Sequence, residues 1–490
     1  MINTFNSAVK FLEGYIPTPD KKHPGQLGLE RMKYLVTLLG NPQFTYPTIH
    51  VGGTSGKGST ATIIASILAT RYKVGLHTSP HLISVTERIK LFSKGPLAEI
   101  ARSPLIKGED ISNSEFIALL NEMLPVIKKV EESEFGKPSY FEILTALAFL
   151  AFVQAKVDIA VIEVGMGGRF DGTNVIKPVV AVLTNVGLDH TEVLGNTVEE
   201  IARDKVGIIK PGIEVVTGVK QPSVFKVVNA ECRMQNANLS LLTPSTPEES
   251  LYAGHPRGVF EAFSYRIKQV TSGGSVFDYF GEHTYRNLKL SLLGLHQVEN
   301  ASLAVRTIES LLERKPEQVK RFLTSFGMTK NNIKAGLKLA FIPGRLEIVS
   351  KKPLIVLDGA HNDDKVRALV TAIREIFPQK KVTGIIAIKD DKNAKKILRE
   401  FLKICQKIIF TKFSLMSDQG VIFSYEPEEL LEIAISDFST PGESLRAAPG
   451  VYLALEQAIK EAKEDDLILV TGSLYLVGEI SAYFFGRSKK

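Results

Sequence analysis

The chain has little of what secreted, membrane-spanning or nucleic-acid-binding proteins need. Its two cysteines, Cys232 and Cys405, are far apart and lack CxxC spacing, which favours a reducing compartment and argues against a thiolate metal site. Residues 1–10 lack the apolar core of a signal peptide, and no stretch of about 18 uninterrupted apolar residues occurs. We therefore expect a cytoplasmic protein that does not span a membrane.

Positive charge is in slight excess and is not concentrated anywhere. The 60 Lys and Arg residues against 53 Asp and Glu give a net charge of +7, with no run of five basic residues. This balance indicates mild attraction to anionic ligands and not a nucleic-acid surface.

A chain of 490 residues is too long to fold around one ordinary hydrophobic core, so we expect two α/β domains.

A glycine-rich loop between an apolar segment and a helix is the most informative motif. It reads His50-Val51-Gly52-Gly53-Thr54-Ser55-Gly56-Lys57-Gly58-Ser59-Thr60. Glycines let backbone N–H groups approach a phosphate, and a helix that begins near Ser59 adds the positive end of its dipole. Lys57 supplies a point charge, and Ser59 or Thr60 a hydroxyl for Mg²⁺. Gly58 departs from the common P-loop pattern, and a random Gly/Ser/Thr turn is the alternative.

Apolar strands and helices alternate along most of the chain. Before residue 341 we predict strands over 73–77, 158–164 and 179–185, and helices over 29–39, 139–153, 197–209 and 297–313. The stretch 92–113 is predicted to be a mobile insertion, and 232–290 an irregular, β-rich continuation.

A second domain is predicted to begin at residue 342. Strands over 354–357, 382–388, 407–411 and 467–471 alternate there with helices over 364–377, 392–404, 427–436 and 451–463. Regular alternation of this kind indicates a second doubly wound sheet.

Polar side chains near the ends of the predicted strands are candidates for holding a magnesium nucleotide. A carboxylate at Glu163, in an apolar strand, is costly unless it binds a metal or forms a buried ion pair with Arg169. His190 follows the next strand and is either a metal ligand or a histidine satisfied by the protein. From spacing alone, Lys205 is predicted to be a solvated helix lysine paired with acidic residues of its own helix.

Three residues of the predicted second domain suit a nucleotide held between domains. Arg345 could clamp phosphate, Asp358 could accept hydrogen bonds from ribose hydroxyls, and His361 could contact phosphate. The alternative is ordinary loop chemistry at strand ends. For the turn at 471–474 a structural role is favoured.

Twelve short motifs, taken in order, resemble the folylpolyglutamate synthase and dihydrofolate synthase family, the folate branch of the Mur ligase superfamily. The resemblance runs almost from end to end. The motifs are Gly53-Thr54-Ser55-Gly56-Lys57-Gly58-Ser59, Ser79-Pro80-His81-Leu82, Glu87-Arg88-Ile89, Phe141-Glu142, Glu163-Val164-Gly165-Met166-Gly167-Gly168-Arg169, Leu188-Asp189-His190-Thr191, Lys205-Val206-Gly207-Ile208, Gly294-Leu295-His296-Gln297, Asn300-Ala301, Pro343-Gly344-Arg345, Asp358-Gly359-Ala360-His361-Asn362 and Thr471-Gly472-Ser473. The extra Gly58 is a feature of this family.

The resemblance implies an α/β fold of two domains. Residues 1–341 would form a P-loop ATPase-type domain with a mostly parallel sheet, and residues 342–490 a Rossmann-like α/β domain. It also implies ATP-dependent amide ligation, in which a folate or dihydropteroate carboxylate attacks the γ-phosphate and L-glutamate displaces phosphate from the acyl phosphate.

The resemblance also implies roles for particular residues. Phosphate and nucleotide contacts would come from Gly53, Thr54, Gly56, Lys57, Gly58, Ser59, Thr60, Asn300 (facing adenine), Arg345, Asp358 and His361. Mg²⁺, expected as two ions, would be held by Ser59, Glu163, His190 and Lys205. Lys57, Lys205 and His190 would be the catalytic residues. The acceptor substrate would contact His81, Arg88, Phe141 and Asp171.

For Lys205 the resemblance implies carbamylation by CO₂, which reverses the interpretation from spacing. An ammonium near two metal ions would be repelled and its pKa lowered, which eases carbamate formation.

Two positions depart from the family pattern: Asp363 stands where proline is usual, and Gly172 where alanine or serine is usual.

Two other functions are alternatives to this ligase. A peptidoglycan Mur ligase would carry a UDP-binding domain ahead of the P-loop, and too few residues precede Gly52 for one. A P-loop ATPase, or an ATP-binding protein without ligase activity, is the alternative from a different class. The expected partners are small molecules only, namely ATP, L-glutamate and a folate or dihydropteroate, and the chain is expected to be a monomer.

Overall fold

The computed structural model describes residues 1–17, 25–94, 108–243, 260–314, 327–417, 420–438 and 444–486. Much of the predicted mobile insertion, residues 95–107, lies outside this range. Within the described residues the strands form two large sheets and one small hairpin.

The larger sheet has eleven strands and carries the P-loop near its centre. Its strands are β1 (Thr48–Gly52), β2 (Val74–His77), β3 (Ile89–Phe92), β4 (Glu109–Asp110), β5 (Ile159–Glu163), β6 (Val180–Leu183), β7 (Glu214–Thr217), β8 (Asn238–Leu242), β9 (Glu261–Thr271), β10 (Gly274–Phe280) and β11 (Thr284–Leu290). They lie in the order β11-β10-β9-β8-β7-β6-β1-β5-β2-β3-β4. In this spatial order every pair between β9 and β2 is parallel, and the pairs at the two edges, β11-β10-β9 and β2-β3-β4, are antiparallel. Strand β1 therefore has a parallel neighbour on each side, β5 and β6.

Helices cover both faces of this sheet. They are α1 (Phe5–Glu13), α2 (Gln26–Leu38), α3 (Lys57–Ala69), α4 (Asn113–Glu131), α5 (Tyr140–Gln154), α6 (Thr191–Leu194), α7 (Val198–Lys205), α8 (Pro222–Met234), α9 (Leu295–Arg314) and α10 (Lys330–Leu339). Strand β5 shows how the faces divide: Ile159 and Val161 join the core under α3 and α9, whereas Ala160 and Ile162 join the core under α4 and α5. Because β5 is buried on both sides, its side chains are apolar until Glu163 ends it.

The second sheet has six strands and follows the alternation predicted from sequence. Its strands are β12 (Glu347–Lys351), β13 (Leu354–Leu357), β14 (Lys381–Ile386), β15 (Cys405–Phe410), β18 (Leu445–Ala447) and β19 (Asp466–Thr471), in the order β12-β13-β19-β14-β15-β18. Only the β12–β13 pair is antiparallel. The flanking helices are α11 (Asp363–Ile376), α12 (Ala394–Phe401), α13 (Pro427–Phe438), α14 (Val451–Glu461) and α15 (Leu474–Phe485), and β16 (Ser414–Ser417) pairs with β17 (Gly420–Phe423) in a hairpin.

The predicted α/β fold, with one mostly parallel sheet and a second C-terminal sheet, is confirmed, and the β-rich character of 232–290 is confirmed by β8 to β11. Among the elements not predicted from the sequence are β7, α8, the edge strand β12 and the hairpin. The helix predicted over 197–209 ends at Lys205 and continues as a short 3₁₀ turn, Val206–Ile208. The boundary between residues 341 and 342 stays a prediction.

No helix among the described residues is both long enough and apolar enough to cross a membrane.

Candidate active site

The glycine-rich loop leads from the end of β1 into α3, at the carboxyl ends of the central parallel strands. Helix α3 begins at Lys57, two residues earlier than predicted, and Gly56 caps it with φ +80°. The first backbone N–H groups of α3 have no partner within the helix, so they and the helix dipole are available to an anion at this edge of the sheet.

Asn300, on α9, closes over the loop from the other side. A Cβ atom on Gly56 would overlap the side-chain oxygen of Asn300, and its positive φ also favours glycine. The same oxygen accepts a hydrogen bond from the Thr60 hydroxyl at 3.3 Å, and the Asn300 amide donates to Gln297 at 3.0 Å. Thr60 is therefore engaged in joining α3 to α9, and Ser59 is the hydroxyl that faces the cavity.

A cavity of about 1660 Å³ lies between the P-loop and the second sheet. This volume exceeds the usual ~300–1,000 Å³ of a small-molecule pocket, so a nucleotide and a second substrate can share it. Its wall brings together most of the predicted site residues: Thr54, Gly56, Lys57, Gly58, Ser59, His81, Phe141, Glu163, Asp171, His190, Asn300, Arg345, Asp358 and His361. Four predicted residues lie behind that wall, namely Gly53, Thr60, Arg88 and Lys205.

Glu163 ends β5 and directs its carboxylate at the start of α3. Its Oε2 accepts a hydrogen bond from the backbone N–H of Ser79 at 3.0 Å. Burial raises the pKa of Glu163, while the nearby charge of Lys57 opposes the rise. A buried carboxylate that is costly to ionise, beside a phosphate loop, is suited to a cation.

The alternative ion pair between Glu163 and Arg169 is not formed. The guanidinium of Arg169 instead donates to the backbone oxygen of Arg203 at 3.4 Å. Arg169 therefore joins the loop after β5 to α7, and it leaves Glu163 facing the cavity.

Lys205 is buried, which corrects the interpretation from spacing that it is a solvated helix lysine. Only 4% of the residue is exposed, and its ammonium donates to the backbone oxygen of Gly53 at 3.2 Å. A Cβ on Gly168 would collide with the backbone of Lys205, so the glycine lets the end of α7 pack against the loop after β5. Burial, and then the charge of Lys57, lowers the pKa of Lys205 to about 7.

His190 lines the cavity in the loop after β6. It adopts φ +51°, and its Nδ1 lies 3.8 Å from the carboxylate of Glu192. Burial lowers the pKa of His190, and the adjacent Asp189 opposes this. A neutral imidazole is the form that binds metals, so these observations are compatible with the predicted role.

Asp358 and Arg345 both line the cavity at the start of the second sheet. Both carboxylate oxygens of Asp358 accept backbone hydrogen bonds, from Leu346 and Ala360, each at 2.9 Å. Burial raises the pKa of Asp358, and the charge of Arg345 opposes the rise. Asp358 thus orders the turn that presents Arg345, and its contact with ribose stays a prediction.

His361 and Lys365 form a pair that was not predicted from the sequence. The ammonium of Lys365, on the first turn of α11, lies 3.1 Å from Nε2 of His361, and both residues line the cavity. Burial, with the charges of Arg345 and Lys57, lowers the pKa of Lys365 to about 8. The i,i+4 rule for residues on one helix face gave no signal here, because His361 precedes the cap Asn362 and lies outside α11.

The predicted acceptor-binding residues lie at the other end of the cavity. Nδ1 of His81 accepts a hydrogen bond from the guanidinium of Arg88 at 3.0 Å, and the carboxylate of Glu87 binds the backbone N–H groups of residues 82–84. Asp171 accepts from the backbone N–H groups of Met166 and Thr173, each at 2.9 Å. His81, Phe141 and Asp171 therefore line the wall, and Arg88 supports it from behind.

A buried ion pair beneath this wall was also missed. The guanidinium of Arg31 makes two hydrogen bonds of 2.8 Å to the two carboxylate oxygens of Glu142, next to Phe141. The partners are 111 residues apart, so no local pattern indicates that they meet.

The donors around Lys57 fit a magnesium ion that is shared with a nucleotide. In the part of the chain that the structure describes, no group of three or more His, Cys, Asp and Glu side chains is arranged to hold a metal alone. Mg²⁺ in nucleotide sites is commonly bound by one or two carboxylates and by substrate phosphates. Ser59 and Glu163 at the wall of the cavity agree with that arrangement.

The fold and the site define a two-domain P-loop enzyme of the Mur ligase type. Residues 115–308 match the Mur ligase middle domain, and residues 345–483 match the C-terminal domain of dihydrofolate synthetase. The chain is 33% identical to the dihydrofolate synthase/folylpolyglutamate synthase of Bacillus subtilis (strain 168), over 92% of this chain and 94% of that protein. It belongs to the folylpolyglutamate synthase and dihydrofolate synthase family of ATP-dependent ligases.

Solved structures agree with this assignment. The Mycobacterium tuberculosis folylpolyglutamate synthase complexed with ADP is 28% identical, with a TM-score of 0.78 and coverage of 99% of both chains. E. coli FolC in complex with DHPP and ADP is 25% identical, with a TM-score of 0.75 and coverage of 99% of this chain and 98% of that chain.

Proposed function

We propose that this chain joins the amino group of L-glutamate to a carboxylate of dihydropteroate or of a folate, with ATP converted to ADP and phosphate. The observation that carries the proposal is the single cavity, in which the P-loop lysine Lys57, the buried Glu163 and the second-domain Arg345 converge. The related E. coli enzyme binds DHPP together with ADP, which supports two substrates in one cavity.

The chemistry requires a leaving group on the acceptor. A carboxylate oxygen attacks the γ-phosphorus, the bond to ADP breaks, and an acyl phosphate forms. The neutral amino group of glutamate then attacks the acyl carbon, phosphate leaves, and the nitrogen loses a proton. Lys57, Arg345 and the N–H groups at the start of α3 stabilise the negative charge that moves during both steps.

Mg²⁺ would be held by Ser59 and Glu163, with His190 as a further ligand. When bound, the ion would neutralise phosphate charge. The Ser79 N–H bond fixes one carboxylate oxygen of Glu163, so the chain orients this ligand before any metal arrives.

Lys205 is proposed to be carbamylated. The reaction needs a neutral amine, and the buried position of Lys205, against Gly53 and with a pKa lowered to about 7 by burial, favours that form. Its direct test is ¹³C NMR with labelled bicarbonate. A carbamate resonance is expected for the wild type and not for Lys205→Ala; equal spectra would contradict carbamylation.

The acceptor is proposed to lie against His81 and Phe141, where an aromatic ring can stack. The chain is proposed to act as a monomer in the cytoplasm, and the free thiols of Cys232 and Cys405 favour a reducing compartment.

A phosphate-release assay tests the proposed function. With ATP present, release should require both L-glutamate and an acceptor, supplied as dihydropteroate and tetrahydrofolate in separate reactions. Lys57→Met should abolish it, and Lys177→Met, which changes an exposed lysine outside the cavity, should not. Release without glutamate would favour an ATPase, and no release with any acceptor would contradict the proposal.

A further inference from the structure

Lys365 enters the cavity from the second domain at a position set by the start of a helix. The side chain of Asn362 caps α11 and accepts a hydrogen bond from the backbone N–H of Lys365 at 3.1 Å. The cap fixes the first turn of the helix, and Lys365 lines the cavity from there. Its ammonium is therefore held at the wall of the cavity by local structure.

The acidic neighbours of Lys365 on its own helix are engaged elsewhere. Asp364 pairs with Arg367, and the carboxylate of Asp363 lies 4.0 Å from the ammonium of Lys396. Among the described residues, no carboxylate lies within 4.0 Å of the Lys365 ammonium in an ion pair. An ordinary i,i+4 surface pair therefore does not explain this lysine.

The partner of Lys365 is the imidazole of His361, and the hydrogen bonds of the ring assign its proton. Nδ1 lies 2.8 Å from the backbone oxygen of Gly359, which only accepts, so Nδ1 carries the hydrogen. Nε2 is then an acceptor and receives a hydrogen bond from Lys365 at 3.1 Å. In this arrangement His361 has no N–H left to donate to a phosphate.

The surroundings of Lys365 are mainly positive. Lys57 and Arg345 are near enough for their charges to lower its pKa, Lys392 acts in the same direction, and Asp189 opposes them. Cations held close together on the two sides of a cavity repel one another until an anion binds between them. The terminal phosphate of ATP carries the charge that would relieve this repulsion, and the hydrogens of an ammonium can bind it.

We propose that Lys365 binds the terminal phosphate of ATP from the second domain, on the side of the cavity opposite Lys57, and that His361 positions the Lys365 ammonium. The proposal deepens the proposed function and rests on it for the identity of the nucleotide. It replaces the expected direct contact of His361 with phosphate.

Nucleotide binding without acceptor or glutamate tests the role of Lys365. Calorimetry would compare a non-hydrolysable ATP analogue and ADP on wild type, Lys365→Met and the control Arg367→Met, which changes an exposed cation of the same helix outside the cavity. Lys365→Met should lower the affinity for the ATP analogue by about tenfold to a hundredfold and the affinity for ADP by much less, because only the analogue has the terminal phosphate. Arg367→Met should bind both nucleotides as wild type does.

Two results would overturn this role. One is an ATP-analogue affinity of Lys365→Met equal to that of Arg367→Met, and the other is an equal loss for ADP and the analogue. Lys365→Gln provides a second variant if Lys365→Met does not fold. The binding experiment does not depend on ligation. A wild type that binds ATP but makes no amide would contradict the proposed function, and the binding data would still test the role of Lys365.

A double-mutant cycle tests the positioning role of His361. His361→Ala should lower the affinity for the ATP analogue in the wild-type background. It should have little further effect in Lys365→Met, because His361 acts by positioning the Lys365 ammonium. Losses that add in full would show that His361 contacts the nucleotide itself and would overturn the positioning role.

Discussion

The carboxylate oxygens of Glu163 lie 3.3 and 3.4 Å from the position that a Cβ atom on Gly58 would occupy. Gly58 is the residue that departs from the common P-loop pattern. The contact gives the departure a physical reason, because a side chain there would press on the carboxylate proposed to hold the metal. The extra glycine and the buried glutamate are thus parts of one arrangement.

Gly58→Ala should lower activity without lowering stability. The new methyl group would displace the Glu163 carboxylate by a few tenths of an ångström, so we expect a loss of about tenfold or more in kcat/KM. Alanine is preferred to glycine in helices, by about 1 kcal/mol in a helix interior and by less in the first turn, where Gly58 lies, so the thermal midpoint should stay the same or rise slightly. Steady-state kinetics and thermal unfolding measure the two effects separately.

Gly450→Ala is the matched control for that substitution. A Cβ there would meet no other atom within 4 Å, and Gly450 lies outside the cavity, so kcat/KM should stay within about twofold of wild type. Gly58→Ala and Gly450→Ala with the same activity would contradict the proposed link between Gly58 and Glu163.

Glu163→Gln should separate function from stability. Burial raises the pKa of Glu163, so at neutral pH its ionised form costs folding free energy in metal-free buffer. The neutral amide removes this cost, and the thermal midpoint without metal should equal or exceed that of wild type. The Mg²⁺ concentration for half-maximal activity should rise by about tenfold to a hundredfold. An unchanged Mg²⁺ dependence would remove Glu163 from the metal site.

Lys205 should make stability depend on pH. Its pKa falls from 10.5 to about 7 on folding, so between these values the unfolded chain binds more protons than the folded chain. The free-energy cost of burying the charge is therefore full below pH 7 and is lost as the pH rises towards 10.5. Over this range the free energy of unfolding should rise by at most about 1.4 kcal/mol per pH unit.

The Lys205 dependence is measured as a difference between two proteins. In CO₂-free buffer, the stability of wild type minus that of Lys205→Met should increase from pH 7 to pH 10, because the variant lacks the group that titrates. A difference that stays flat across this range would mean that the Lys205 ammonium is not desolvated.

Arg31→Met should destabilise the fold. It would leave the Glu142 carboxylate buried without its partner, and the expected loss is about 3–5 kcal/mol in the free energy of unfolding. Lys128→Met, which breaks an exposed pair with Glu132, should cost about 0.5 kcal/mol or less. Denaturant unfolding followed by circular dichroism compares them, and equal losses would contradict a buried role for Arg31.

Much of the fold follows from local pattern. Strand β5 is apolar up to Glu163, and α3 follows directly after the glycines, so the order of strand, loop and helix is visible in the sequence. The four inner strands of the second sheet are equally plain, and Leu354–Leu357 is observed with the predicted bounds. Edge strands such as β12 carry less apolar pattern, and they were missed.

The features that could not be predicted depend on what packs against a residue. Lys205 lies on a short helix with Glu199, Glu200 and Arg203, so its own segment resembles a solvated surface. The loops that contain Gly53 and Gly168 cover it. The pairing of Arg31 with Glu142 likewise depends on the approach of α2 and α5. Spacing along the chain tells which side chains share a face of a helix, and it does not tell what covers that face.

The acyl phosphate is tested most directly by isotope transfer. The acceptor, labelled with ¹⁸O in its carboxylate, would be incubated with ATP and L-glutamate, and the released phosphate analysed by mass spectrometry. The account predicts that one ¹⁸O atom appears in the phosphate for each amide formed, and that Lys57→Met gives neither product. Amide formed with unlabelled phosphate, or phosphate released in the absence of glutamate and acceptor, would contradict it.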